Sequence, residues 1–423
     1  MRRRLSLLVI LFMLVAIGLL SSGSLALAAG SGPGVHALHR TPAPTRTPQP
    51  TTPPPTATPL PPASCWSTVP APTLPGYAAV LNAVAGSGAN DVWAVGEYID
   101  AGIGHTLILH WDGNGWQRVA SPDLVTNGTV NTTTNELNGV AVIGPGDAWA
   151  VGYGVSSNVP YQTITEHWNG SGWQIVPSPN NATPGFYNAL NDVSAISSND
   201  VWAVGGVPVS LAGAVAGRSL LMHWDGASWQ LVPEPLETLS WSQTTRFAVT
   251  ARSSNDVWAV GKFDAWHWDG SAWHDVPGSG QNLADIDTNG TTLWSVGTVP
   301  GGYVEGFYSP PMPDAQYLNG TTWSTTSPVV SDYTNGAGFN AVKVIASNNV
   351  WAVGRTGHFA LTEQWNGTAW AVVQAAQGNP NPSTNGNVLL GITAFSPTAI
   401  WSVGYYYDSA SVQRVLIERY TCH

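Results

Sequence analysis

The chain has 423 residues, of which 43% are apolar and only 9% charged, with Gly 46, Pro 32, Trp 21 and a net charge of −11. Few charges together with abundant Trp and Gly indicate turns and aromatic packing rather than disorder. A strongly acidic balance with only two Lys, Lys262 and Lys343, and no basic stripe excludes an electrostatic nucleic-acid or anionic-membrane binder.

Residues 1–28 read as an export signal. Arg2, Arg3 and Arg4 precede an apolar run over 5–20, and Ala26-Leu27-Ala28 supplies the small-residue cleavage pattern. The alternative is an uncleaved N-terminal membrane anchor. Removing 1–28 takes away three Arg and no acidic residue, leaving 11 basic against 25 acidic side chains, a net charge of −14. Residues 29–64 form a linker that includes the Pro/Thr tract TPAPTRTPQPTTPPPTATPLPPAS at 41–64. Proline lacks the donor that a helix or sheet ladder needs. The tract is expected to be an extended spacer, reaching roughly 75 Å at about 3 Å per residue.

From residue 65 one strand recurs. NDVWAVG at 90–96 returns as GDAWAVG at 146–152, NDVWAVG at 199–205 and 255–261, TTLWSVG at 291–297, NNVWAVG at 348–354 and TAIWSVG at 398–404. The Trp spacing ranges from 36 to 57 and averages about 51 residues, the mark of a repeat architecture with insertions. The first unit reads as LNAVAG (81–86), DVWAVG (91–96), TLILHWDG (106–113) and GWQRVASP (115–122). The last two join through Asp112-Gly113-Asn114, because an Asn/Asp-Gly pair supplies the positive φ of a hairpin turn. Four short antiparallel strands per unit over seven units, without helical periodicity, predict an all-β, seven-bladed β-propeller over 65–423. The strand Trp and the later Trp116, Trp173, Trp229, Trp273, Trp323 and Trp370 are expected to pack between blades.

The seventh unit has three strands and then stops. CWSTVPAP at 65–72 matches the fourth strand, so the N-terminal strand is expected to complete the last blade. Cys65 and Cys422, the only cysteines, then flank the missing turn, and a Cys65–Cys422 disulfide is predicted.

The stretch VWAVGG…LLMHWDGASWQLVPEP, within 201–235, resembles a kelch repeat of the galactose-oxidase-like propellers: Gly205-Gly206, Trp224-Asp225, Trp229 and Pro233 match its pattern. Most units keep one Gly where kelch has two, and Trp replaces Tyr. The D-G-x-x-W element also resembles the Asp-box of sialidase-type propellers. These resemblances imply a propeller and two chemistries. A copper site would need a Cys crosslinked to Tyr, but both Cys are assigned to the disulfide. A sialidase site would need clustered Arg and a Tyr-Glu pair, with Arg246, Arg252 and Arg355 able in principle to reach one mouth.

Repetition argues against two other sites. His110, His167, His223 and His267 each precede a Trp, but equivalent positions on different blades are splayed around a ring, beyond the roughly 2 Å ligand distances of zinc. Asp91, Asp147, Asp200 and Asp256 fail as paired catalytic carboxylates for the same reason, and are expected to bond the backbone of the turn before their strand. No cofactor or metal is expected, and no catalytic residue is assigned. Sequons at Asn169, Asn289, Asn319 and Asn366 fall on Asn-Gly turns and read as turn chemistry, with a further sequon at Asn127.

Blade topology places the short, uniform first-to-second and third-to-fourth connections on one face. The second-to-third connections and the blade links share the other face, where they vary widely. Unit five inserts TVPGGYVEGFYSPPMPDA over 298–315. Varied loops on a rigid scaffold are where binding lives. Ligand-contact candidates on this face are Tyr98, Tyr153, Trp241, Tyr303, Glu305, Arg355 and Tyr405-Tyr406-Tyr407, with Tyr161, Tyr187, Phe307, Tyr308, Tyr333, Asp264, His358 and Asp408 beside them. The sequence is read as a monomeric, exported, non-catalytic module for an extracellular glycan or protein, its mature domain outside the membrane. The alternatives are a secreted sialidase-like hydrolase and a cell-wall structural or adhesion protein.

Overall fold

A computed structural model describes residues 65–422 except 126–132, 182–187, 212–213, 236–245, 263, 277–280, 305–306, 330–334, 381 and 383–385. The expected signal and linker, with Trp241, Glu305, Tyr187, Tyr333 and Asn127, lie outside the described residues. No helix occurs among the described residues. They form seven four-stranded antiparallel sheets and one two-stranded hairpin, Gly302–Val304 with Phe307–Ser309. The first blade takes Ala78–Gly88, Asp91–Asp100, Ile103–Trp111 and Trp116–Val119 from the centre outwards. The other inner strands are Thr134–Gly144, Leu190–Ser197, Arg246–Ser253, Asn282–Thr288, Ala337–Ala346 and Asn387–Ser396. Each inner strand neighbours the next, and the seventh meets the first, so the sheets close into a β-propeller.

The recurring Trp explains the closure. The second-strand Trp of each blade meets the outer-strand Trp of the next edge to face: Trp93 with Trp173, Trp149 with Trp229, Trp202 with Trp273, Trp258 with Trp323, Trp294 with Trp370, Trp351 with Trp66 and Trp401 with Trp116. Centroids lie 5.2 to 6.2 Å apart at 81° to 89°, the arrangement that sets a positive ring edge against a negative face. Trp66 reaches this ring because Trp66–Thr68 pairs with the last strand, Gln413–Tyr420, as Trp66 opposite Tyr420. The predicted Cys65–Cys422 bond is present, with Cα atoms 5.1 Å apart.

The glycine that ends each VWAVG strand also has a steric cause. Every inner strand breaks register at one equivalent place, between Leu81 and Ala83 in the first blade and between Leu389 and Gly391 in the seventh. The extra residue makes a β-bulge that bends the inner strand toward its partner. A Cβ on Gly96, Gly152 or Gly404 would land on the carbonyl oxygen of Val80, Glu136 or Val388.

The uniform face is built from local turns. Asp112 Oδ1 accepts from the N–H groups of Asn114 (2.9 Å) and Gly115 (3.1 Å). Gly113 adopts φ 94°, and its Cα faces Asn90 of the first-to-second turn, so both turns occupy one end of the blade. The Asp that starts each second strand corrects the sequence reading. Asp91, Asp147, Asp200 and Asp256 bond a histidine ring on the third strand, not the turn backbone: His110 (2.7 Å), His167 (2.8 Å), His223 (2.8 Å) and His267 (3.0 Å). Each of these rings also lies over the strand Trp of its own blade, at 4.1 to 4.5 Å between centroids. The register sets His110 opposite Trp93, so Asp91, two residues earlier on the same face, lies diagonal to that ring and reaches it instead of its own turn.

Candidate functional site

The seven bulges aim one residue from each blade at the channel mouth on the variable-loop face: Asn82, Asn138, Asn191, Phe247, Ala284, Asn340 and Leu390. They surround a basin of about 500 Å³. Asn82 Nδ2 donates to the Leu137 carbonyl (2.9 Å), Asn138 Nδ2 to Leu190 (2.8 Å) and Asn340 Nδ2 to Leu389 (2.8 Å), each on the following blade. With Nδ2 used between blades, the amide oxygens of Asn82 and Asn340 have no partner among the described residues. Sequence reasoning missed this ring. Its signal was LNAV, LNGV, LNDV and FNAV at 81–84, 137–140, 190–193 and 339–342.

Below the basin, the channel holds a cavity of about 250 Å³. Asp192 and Asp285 line it, half-buried, at equivalent bulge-adjacent positions. Each reaches to the following inner strand, where Asp192 accepts from Val249 N–H (2.9 Å) and Asp285 from Val342 N–H (2.8 Å). Burial is the main cause that pushes Asp192 up to about 7, and burial together with the charge of Asp192 raises Asp285 well above the carboxylate range. Asp287 is paired with Lys343 at 3.1 Å.

On the rim, Glu136 accepts from Asn82 Nδ2 (2.9 Å) and from the Tyr153 hydroxyl (2.7 Å). Glu97 lies beside it. Burial, and then the charge of Glu136, push Glu97 up to about 8. Burial and Glu136 likewise raise the Tyr153 hydroxyl. The Tyr153 ring stacks on Tyr161, with centroids 5.1 Å apart. Two acids, an amide and two phenols therefore converge where the first and second blades meet.

The structure separates the remaining candidates. Tyr303 (79% exposed) and Tyr308 (58%) project from the hairpin within the 298–315 insertion, with centroids 5.5 Å apart. Tyr98 is buried instead, its ring under the Arg118 guanidinium at 4.8 Å and against His105. Tyr405 and Tyr407 meet edge to face at 5.7 Å, and burial raises the Tyr405 hydroxyl while Arg355 opposes it. Arg355 itself is exposed. Tyr406 lies against Gly378 and lines a separate cleft of about 500 Å³ with Pro72, Leu74, Tyr77 and Arg414. Asp408 is bound to Arg414 (2.9 Å), His358 offers its carbonyl to Asn387, and the Asp264 carbonyl accepts from Gly261. Among the described candidates, Tyr153, stacked on Tyr161, belongs to the channel mouth, while Tyr303 and Tyr308 supply the exposed rings.

No family model matches the sequence, and no curated protein matches it. Among solved structures, the chain is similar to a protein of unknown function from Dyadobacter fermentans, with 8% identity and TM-score 0.47, over 84% of this chain and 97% of the other. It is similar to the extracellular domain of a putative hybrid two-component system from B. thetaiotaomicron, with 11% identity and TM-score 0.44, over 81% of this chain and 40% of the other. A lectin from Burkholderia pseudomallei aligns at 13% identity and TM-score 0.48, over 81% of this chain and 96% of the other.

Proposed function

We propose that this chain is an exported, non-catalytic propeller that binds an extracellular glycan or protein on its variable-loop face. One observation carries the reading. Every exposed Phe, Tyr or Trp among the described residues, namely Tyr77, Phe247, Tyr303, Tyr308 and Phe359, lies at that end of the blades. Exposed aromatic rings on one face mark a contact surface, and Tyr adds a polar tip at little entropic cost. The Asn ring and the Glu97–Glu136–Tyr153 corner add the donors and acceptors that hydroxyl-rich ligands need. The disulfide suits an oxidising, exported setting. The repeat is part of the same reading, as a kelch-like unit with Gly205-Gly206 and the Trp224-Asp225 turn.

The test is a glycan array, followed by titration of the best ligand. The double change Tyr303→Ala/Tyr308→Ala is expected to weaken binding about tenfold or more, the loss of one well-packed aromatic anchor. His274→Ala, on the uniform face where His274 bonds Asp269 at 2.9 Å, is expected to leave it unchanged. The opposite pattern refutes the assignment of the face.

The hydrolase reading has one observation in its favour, the Tyr153–Glu136 hydrogen bond at 2.7 Å. Arg118 is engaged under Tyr98, and Arg252 contacts Asp256 and Thr288 near the opposite face, so neither joins that pair. Hydrolysis of a chromogenic sialoside that is lost on Tyr153→Phe would decide for it.

A further inference from the structure

The outer strands hold only three or four residues, so the chain leaves each one alongside the unpaired remainder of the third strand. After the first blade, this link carries Ser121 and Asp123. Asp123 Oδ1 accepts from the Thr106 N–H (2.9 Å) and lies 3.2 Å from Thr106 Oγ1, while Oδ2 meets His105 Nδ1 at 2.6 Å. Ser121 Oγ lies 2.8 Å from Thr106 Oγ1 and 2.9 and 3.1 Å from the two oxygens of Glu166. Glu166 stands on the third strand of the second blade and has no exposed surface.

The four groups form a chain with three links: Glu166 to Ser121, Ser121 to Thr106, and Thr106 to Asp123. Each link needs one proton, and the two hydroxyls supply only two. Asp123 already accepts from a backbone N–H and faces His105, so the third proton belongs to Glu166. The next junction gives an internal comparison. Ser178 Oγ meets Thr163 Oγ1 at 2.8 Å, and Asn180 Oδ1 accepts from Thr163 N–H (2.9 Å) and Oγ1 (3.3 Å). The strand position of Glu166 is there Met222, opposite Ala203 as Glu166 is opposite Ala150. Both carboxyls are gone together, and two hydroxyl protons serve two links.

We propose that Glu166 is held as a neutral acid whose O–H donates to Ser121, and that loss of its proton opens a latch between the first two blades. Loss of that proton leaves a buried carboxylate near Asp123 and one hydrogen bond too few, and the link is released toward the variable-loop face. Burial is the largest influence on Glu166. A hydrogen bond that Ser121 can donate to the ionised form opposes it, the charge of Asp123 adds to it, and the carboxyl is pushed up to about 8. Two other blades repeat the grip in simpler form: Glu363 accepts from the N–H of Val329 (2.8 Å) and Glu418 from that of Ala376 (3.2 Å).

Amide hydrogen exchange on the full chain tests this without any ligand, so its outcome is independent of the proposed function. Exchange is followed from pH 6 to 9, corrected for the intrinsic rate, over the links 119–125 and 176–181. The first link is expected to lose about tenfold in protection relative to the second, since one unit above its titration point an acid is about ten to one ionised. Glu166→Gln keeps a donor for Ser121 and is expected to make the first link as insensitive to pH as the second. Equal pH dependence of the two links in the unaltered protein overturns the proposal, even if the variant does not fold. Persistence of the difference in Glu166→Gln overturns it as well.

Discussion

Glu363 and Glu418 occupy the same strand position as Glu166, have no exposed surface, and each leaves one carboxyl oxygen without a partner. Burial, opposed by a single backbone N–H, pushes both up to about 7 from an unfolded value of 4.5. Across that window the folded state binds more protons than the unfolded one, so stability falls as pH rises. The contribution is intact below the unfolded value and is lost once both acids ionise in the native state. Gln316, at the equivalent position of the fifth blade, shows that an amide fits there. The double variant Glu363→Gln/Glu418→Gln is expected to exceed the unaltered protein at pH 8 by on the order of 1–3 kcal/mol in urea unfolding, and to show no such gain at pH 4. These three Glu precede His, Gln and Arg in otherwise alternating strands. Nothing in that pattern marks them as buried, because burial arises from the segment that the preceding blade lays across them.

Within an element, the VWAVG strand was legible from its repetition, and its use was not. Apolar residues throughout predicted cover on both faces, as the second strands show. Trp149 is 1% exposed and meets Trp229 of the next blade at 88°. Trp149→Ala is expected to cost about 3–5 kcal/mol, the range for emptying a buried aromatic site, read by chemical or thermal unfolding. The inner strand was the harder element. Strict alternation would put Leu81 and Ala83 on one face and Asn82 and Val84 on the other. The bulge inserts one residue, so Leu81 and Val84 are both buried and Asn82 turns to the channel mouth. A one-residue phase shift is nearly silent in a six-residue stretch, which is why the four Asn read as ordinary strand residues.

At the scale of the molecule, closure rests on two devices at one seam. Trp66 completes the ring of edge-to-face pairs, and Cys65–Cys422 joins the ends of a 357-residue separation. The chain-entropy formula gives about 5–6 kcal/mol for so long a loop, as an upper figure. The Cys65→Ser/Cys422→Ser variant is therefore expected to unfold at lower temperature in calorimetry while still burying Trp66 at ambient temperature, since the strand pairing and the indole contact remain. A melting temperature equal to that of the parent would show that strand pairing alone holds the seam. The sequence by itself determined the number of blades, the strand that completes the last one, the disulfide and the division into a uniform and a varied face. Those features repeat, or follow from local turn chemistry and strand count, so each can be read within one unit. Only the tertiary structure decided which side chains share a site. Asn82 and Glu136 stand on neighbouring blades, 54 residues apart, and Ser121 and Glu166 meet across the same junction. Their meeting depends on the phase set by each bulge and on where one blade rests against the next, neither of which a strand carries in its own residues.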